Sequence, residues 1–490
     1  MRKRAMSSRS LALSLAWSLA LAAAPRAALA QDAPNAPLEA RLRALVASSG
    51  LSEQVGIAVV DTRTGRAIFQ HHAERPMNPA SNQKLVTAFA ALRLLGADFS
   101  MRTAVHGRVE GGSVTGGIAL RGFGDPDLEL GDLVMLARDV RLAGVERVDR
   151  VIVDATYFDD RILPPAFEQQ PDEVSPFRAP IGAVSVDRNA YVLRVMPGPS
   201  AGTPARVALL GAPYFAVTNR ITTSAEGAPN IIADQRATAG GSQMSLRLSG
   251  SIPATVRGAS YRRRIEHPLH WSGHVFAEAL RSQGIEVGDG VSLGPTPEGA
   301  PALASRQSTP VGVLLHAIGK HSDNFVAEMI FRVIGAERHQ PGRNEDSVSA
   351  VREALTQAGI DASRIEIVNG SGLFTGNRIA PQRLAEILVA AHRDPAIQPE
   401  FVASLAIAGV DGTMARRLRS LPAPRVVRVK TGTLAAVVAL SGYVLGREPE
   451  RAYAFSVLAN DVRGRTGAAR QLADGVAQAL AEDLHPRAQN

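Results

Sequence analysis

Apolar residues along this chain follow two rhythms. An unbroken run from Val55 to Val60 and a second from Ala67 to His71 flank Asp61-Thr62-Arg63-Thr64-Gly65-Arg66, which predicts two antiparallel strands joined by a turn. The rhythm then becomes helical, with apolar side chains at Leu85, Ala88, Phe89, Leu92 and Leu95. Asn78 is placed to cap that helix, Pro79 suits its first position and Gly96 can end it. From about Met101 to Pro253 the chain reads as short Val-, Ile- and Thr-rich runs broken by Gly111-Gly112, Gly116-Gly117 and Pro197-Gly198-Pro199, a β-rich texture. Helical spacing returns near Pro268, with Val275, Phe276, Ala279 and Leu280 on one face, and again over Val311 to Leu315 and Phe325 to Val333. Strands are expected at Val426 to Val429, Val437 to Leu445 and Ala452 to Leu458, followed by an amphipathic helix from Gly467 to Leu484. No repeat of solenoid length interrupts this order.

The arrangement implies an insertion. Residues 31–97 and 265–490 are expected to form one domain, and 98–264 a β-rich insert of two subdomains, the second spanning about 186–250. A chain of 490 residues is too long for a single ordinary core. Residues 1–30 read as a cleavable secretory signal. Arg2, Lys3 and Arg4 precede an apolar run from Leu11 to Ala24, and Ala28-Leu29-Ala30 precedes Gln31. Cleavage near Ala30 and export to the periplasm follow. That run is too short to cross a bilayer comfortably, and no later segment has the length of a membrane helix, so no transmembrane anchor is expected.

Composition changes the picture in three ways. The formal net charge is +8, but Arg2, Lys3, Arg4, Arg9 and Arg26 leave with the leader, so the basic balance gives no reason to expect nucleic acid as a partner. Cysteine is absent, which excludes disulfides and thiolate metal sites in an exported chain. Only 4 of the 54 basic residues are lysine. The three outside the leader mark Ser81-Asn82-Gln83-Lys84, Lys320-His321-Ser322-Asp323-Asn324 and Lys430-Thr431-Gly432. Arginine stays protonated in proteins, whereas a desolvated lysine can lose its proton, so scarce amines beside hydroxyls point to a serine nucleophile.

Taken singly, each segment has an ordinary reading. Ser81 and Lys84 lie one turn apart on a helix face, which happens by chance. Ser322-Asp323-Asn324 can simply cap the apolar helix that follows, with Glu328 in its first turns, and Lys430-Thr431-Gly432-Thr433 can be a strand ending in glycine. His267, His270 and His274 have metal-like spacing, but Pro268 and the apolar face beyond them favour packing, and His321 points away from its neighbour Ser322. In order, the three segments form the signature of class A β-lactamases and penicillin-binding proteins.

With 241 residues from Ser81 to Ser322 and 108 from Ser322 to Lys430, the chain resembles the low-molecular-mass class C penicillin-binding proteins, the D-alanyl-D-alanine carboxypeptidase/endopeptidases of the penicillin-binding protein 4 type. Gly124-Asp125-Pro126-Asp127-Leu128, Gly370-Ser371-Gly372-Leu373 with Asn377-Arg378, Asp411-Gly412-Thr413-Met414 and Ala439-Leu440-Ser441-Gly442-Tyr443 extend the resemblance over nearly the whole mature chain. Asn369 stands where that pattern has an aspartate, and Phe374 where serine is common.

The resemblance implies an α+β fold, a serine β-lactamase/transpeptidase-like domain with an antiparallel sheet flanked by helices and one or two inserted β-rich domains. It implies peptidoglycan stem peptides as substrates and β-lactam antibiotics as covalent inhibitors. Ser81 would be the nucleophile and Lys84 the base. Ser322 with Lys430 would relay a proton to the leaving nitrogen, and Asn324 would bridge Lys84 and the substrate amide. The backbone N–H groups of Ser81 and Thr433 would form the oxyanion hole, and Lys430, Thr431, Gly432 and Thr433 would hold the terminal carboxylate. Asp154, Phe158 and Met414 would line a pocket for the free end of the diamino acid; a strand-end aspartate and two core side chains are the structural alternatives. No metal or organic cofactor is needed. A class A β-lactamase would want Glu-x-x-Leu-Asn and a class C enzyme Tyr-x-Asn, and neither stands out here. A non-hydrolytic penicillin-sensing or peptidoglycan-binding protein would need neither nucleophile nor base.

Overall fold

Two apolar runs from opposite ends of the chain meet in one sheet. In the computed structural model, which describes residues 36–209, 214–288, 290–448 and 451–486, Val55–Asp61 pairs antiparallel with Ala452–Ala459, placing Ile57 opposite Val457. The expected leader lies outside the described residues. Six strands run in the order Ala406–Ile407, Val427–Leu434, Val437–Leu445, Ala452–Ala459, Val55–Asp61 and Ala67–His71, antiparallel throughout.

Because strand side chains alternate between faces, this sheet feeds two cores. Ala58, Val60, Ala454 and Leu458 pack towards the helices that carry Phe89, Phe331 and Leu388. Ile57, Val59, Phe455 and Val457 pack with Leu42 and Leu480 of the helices Ala36–Ser48 and Thr466–Leu484. A sheet covered on both sides needs unbroken apolar strands, which is why the runs at 55–60 and 452–459 show no polar alternation.

The helix carrying Lys84 starts later than its pattern predicts. An α-helix spans Gln83–Leu94, preceded by a 3₁₀ turn at Ala80–Asn82. Asn78 does not cap the helix; its side-chain oxygen accepts from the Ala80 N–H at 2.8 Å and closes the turn in which Ala80 adopts φ +46°. Ser81 therefore projects from a tight turn ahead of the helix.

The stretch expected to be β-rich carries a helix as well, Leu130–Leu142, whose Leu133, Leu136, Ala137 and Val140 are buried. Its main sheet has five strands in the order Val291–Leu293, Val151–Asp154, Ile118–Gly122, Arg102–His106 and Ala302–Gln307. Two three-stranded sheets use residues 190–264. We propose that the insert runs to Gln307 rather than to 264, and its second subdomain over about 187–265. Val291 pairs with Val151 and Arg306 with Thr103, and the Pro268–Ser282 helix buries Trp271, Phe276 and Leu280 in the same core as Leu120 and Leu136.

Phe276 is fully buried there. Phe276→Ala should cost about 3–5 kcal/mol in denaturant unfolding; a loss below about 1 kcal/mol would show that this helix is not part of the insert's core.

Candidate active site

The turn at Ser81, the end of one helix and the edge of one strand meet at a single point. The Val311–His321 helix ends at Ser322, which takes a left-handed conformation (φ 59°), and Asp323 then caps the Asn324–Ala336 helix by accepting from the Val326 N–H at 3.1 Å. This reversal turns Ser322 and Asn324 towards Ser81. On the sheet, the short strand Ala406–Ile407 pairs only with residues 428–429, so Lys430 to Thr433 lie on an edge with no further strand among the described residues.

The contacts are direct. The Lys84 ammonium donates to Ser81 Oγ at 3.2 Å, to Asn324 Oδ1 at 2.6 Å and to the Ser371 carbonyl at 2.7 Å. The Lys430 ammonium donates to Ser322 Oγ at 2.8 Å and to its neighbour's carbonyl, Thr431 O, at 2.7 Å. Asn324 donates to the Phe177 carbonyl of the insert at 3.0 Å, and Thr431 donates to Thr413 Oγ1 at 2.8 Å.

Both amines are buried, and burial is what changes them. It lowers the Lys84 pKa to about 7, against an upward pull from the carboxylates of Glu328 and then Asp323. Lys430 is held well below the ordinary lysine range, by burial first and by the Lys84 charge second. Desolvation therefore outweighs the repulsion between the two amines, and only Lys84 has carboxylates opposing it.

Several neighbours were visible in the sequence without any sign of what they bind. The Asn82 carboxamide, oriented to satisfy its surroundings, donates to the Lys430 carbonyl at 3.0 Å and accepts from Ser441 Oγ at 2.6 Å, tying the serine turn to the sheet. Glu328 accepts from the N–H groups of Gly370 and Ser371 at 3.1 and 2.7 Å. Asn369 donates to the carbonyls of Pro165 and Leu373 and accepts from the Gly372 N–H and Asn377, so an amide uses donors that an aspartate would lack. At Gly372 (φ +74°) a Cβ would lie 1.9 Å from the Ala80 carbonyl. Only glycine lets this loop approach the serine turn so closely.

Ser81, Ser322, Asn324 and Thr433 line a cleft of about 570 Å³, walled by Gln169, Gln170 and Phe177 of the insert and by Leu373, Phe374, Leu434 and Arg463. Phe374, where serine was expected, stacks edge-on against Phe167 at 6.0 Å. Gly432 lies at the Ser81 end of the strand, where a Cβ would come within 3.1 Å of the Pro79 carbonyl and the Ala80 methyl.

Three residues assigned to the cleft by resemblance are placed elsewhere. Asp154 is buried, with one oxygen accepting from the N–H and hydroxyl of Thr156 and the other from those of Thr296. Met414 is fully buried in the core beneath the sheet. Phe158 packs against Tyr157 and borders a different cavity with Asp159 and Arg343. The first is a structural carboxylate and the others are packing side chains.

The model of the D-Ala-D-Ala carboxypeptidase 3 (S13) family matches residues 38–482. The chain belongs to that family. It is 35% identical over 480 residues to the D-alanyl-D-alanine carboxypeptidase of Actinomadura sp. strain R39, covering 94% of this chain and 88% of the relative. Among solved structures it is similar to penicillin binding protein 4 from Haemophilus influenzae, with TM-score 0.77 and 23% identity over 91% of this chain and 99% of that one. A second structure of the Haemophilus protein, complexed with a novel β-lactam, matches at the same identity and coverage with TM-score 0.72. The fold of this S13 member is thus the α+β, transpeptidase-like arrangement with inserted domains that its motifs imply, and its family is one of hydrolases.

Two outcomes test this geometry. Gly372→Ala should push the Ala80–Ser81 turn out of place and lower Ser81 reactivity by about 10²-fold, measured with an acylating active-site probe. Asp154→Ala should lower unfolding stability by about 2–4 kcal/mol, since it strands two N–H and two hydroxyl donors, while leaving unchanged the ratio of rates on D-alanyl peptides that differ in their diamino acid.

Proposed function

We propose that this protein is an exported serine DD-peptidase of the periplasm, which hydrolyses the D-Ala-D-Ala terminus of peptidoglycan stem peptides, D-Ala-diaminopimelate cross-links, or both, through an acyl-enzyme, and is acylated by β-lactams. One observation carries the reading. Two buried amines each meet a different serine hydroxyl, Lys84 at Ser81 and Lys430 at Ser322, around one open cleft.

Ser81 Oγ attacks the carbonyl carbon of the penultimate D-alanine while its proton passes to neutral Lys84 Nζ, and the carbonyl oxygen takes the negative charge. The N–H groups of Ser81 and Thr433 would stabilise that oxygen, and losing such a donor typically costs roughly 10²–10³ in rate. As the tetrahedral centre collapses, the C–N bond breaks and the leaving nitrogen takes, through Ser322 held by Lys430, the proton that Lys84 accepted, which returns Lys84 to its neutral form. Water then adds to the ester carbonyl, its proton passing to Lys84 Nζ and from there to Ser81 Oγ as the C–O bond breaks, which frees the carboxylic acid and restores the serine hydroxyl. Thr431, Gly432 and Thr433 along the strand edge, with Thr413 behind Thr431, suit a substrate carboxylate. The S13 relatives, and the β-lactam complex of the Haemophilus protein, support this substrate class.

A fluorescent penicillin should label the parent covalently and leave Ser81→Ala unlabelled. Lys84→Arg, which keeps charge but cannot act as a base, should slow labelling by roughly 10²–10⁴-fold. Because Lys84 must be neutral to accept a proton and its pKa is about 7, the acylation rate should fall as pH drops through 7 and level off above it. Muropeptide analysis should then show steady release of D-alanine and loss of cross-linked dimers. Permanent acylation with no turnover of either substrate would overturn the peptidase reading in favour of a sensor.

A further inference from the structure

Glu328 is a buried carboxylate that the mechanism above does not use. It lies four residues after Asn324 on the same helix, so both side chains face the cavity floor around Lys84. Its two oxygens accept from the adjacent N–H groups of Gly370 and Ser371, at 3.1 and 2.7 Å, and the carbonyl of that same Ser371 accepts from Lys84 at 2.7 Å. Thr87, one turn after Lys84, donates to the Gly370 carbonyl at 2.7 Å and pins the other end of the loop. The loop has little freedom, and Lys84 is held between it and Asn324.

We infer that Glu328 is a positioning residue of the acylation step: it fixes the Gly370–Ser371 backbone so that Ser371 O holds Lys84 against Ser81. The inference rests on Lys84 acting as the base. Two N–H donors on two oxygens suit an ionised carboxylate. Burial pushes Glu328 above the usual carboxylate range, while the Ser371 side chain, these two N–H donors and the Lys84 charge pull it back. The charged groups acting on Lys84 are Glu328 and Asp323, the latter bound to Arg188 at 2.7 Å, while Lys430 feels the Lys84 charge from the strand. Glu328 is the carboxylate with the larger upward pull on Lys84. A residue that merely satisfied two loop N–H groups would leave the protonation of Lys84 untouched.

The scarcity of lysine makes this directly readable, since only Lys84, Lys320 and Lys430 lie outside the leader. In protein labelled with ¹³C at lysine Cε, the Lys84 resonance, assigned by its disappearance in Lys84→Arg, should titrate about one pH unit lower in Glu328→Gln than in the parent. The acid limb of penicillin acylation should move down by the same amount. Glu328→Asp keeps the charge on a shorter arm, so its acid limb should stay at the parent's pH while the rate falls by up to about 10²-fold. Coincident Lys84 titrations in parent and Glu328→Gln would overturn the inference. Should Glu328→Gln not fold, Glu328→Asp decides: a parental rate in that variant would overturn it. A parent that is never acylated would sink the peptidase reading instead, with the Lys84 titration still judging the link to Glu328.

Discussion

Two lysine ammonium groups taken out of water and set against serine hydroxyls are the constraint on which the rest of this structure depends. An unpaired buried charge is costly, so each amine must be surrounded by acceptors or give up its proton. Lys84 has three acceptors and two opposing carboxylates, while Lys430 has a hydroxyl and a carbonyl. The difference makes the two amines chemically unlike although they are equally buried. One can exchange a proton near neutral pH, and the other is pushed away from its charged form with no carboxylate opposing the shift.

Holding such a centre requires rigid supports on every side. The sheet supplies one, because its strands are apolar on both faces and pack into two cores. Asn82 joins the serine turn to that sheet, and Gly372 and Gly432 let neighbouring backbone come within van der Waals contact of Ala80. Lys320, the third lysine, binds Asp411 at 2.8 Å and the Leu405 carbonyl at 2.9 Å, anchoring the segment that presents Thr413 to Thr431. Its amine is structural, although it marks the second motif as clearly as the others mark theirs.

The convergence was legible in the sequence because order, spacing and the rarity of lysine agree, and the strands at 55–60 and 452–458 were legible as unbroken apolar runs. Other parts were hidden for physical reasons. The Leu130–Leu142 helix exposes Met135 and Leu142, at 50% and 73%, which blurs its apolar stripe. Asp154 reads as a lone acid at a strand end because Thr296, which saturates one of its oxygens, lies 142 residues away. Gln169, Gln170 and Phe177 wall the cleft from a segment with no periodicity, placed only by the packing of the insert. Glu328 looked like one more acid in the first turns of a helix, and only the fold shows that it faces the loop behind Lys84.

The bond from Asn324 to the Phe177 carbonyl has a consequence for the orientation of the amide beside Lys84. A carboxamide can rotate by half a turn and occupy nearly the same space, exchanging its oxygen and nitrogen. Here that rotation would turn hydrogens towards the Lys84 ammonium and an oxygen towards the Phe177 oxygen, two repulsions created at once. The insert, remote in sequence from all three motifs, thereby helps to dictate which end of a symmetric-looking group faces Lys84.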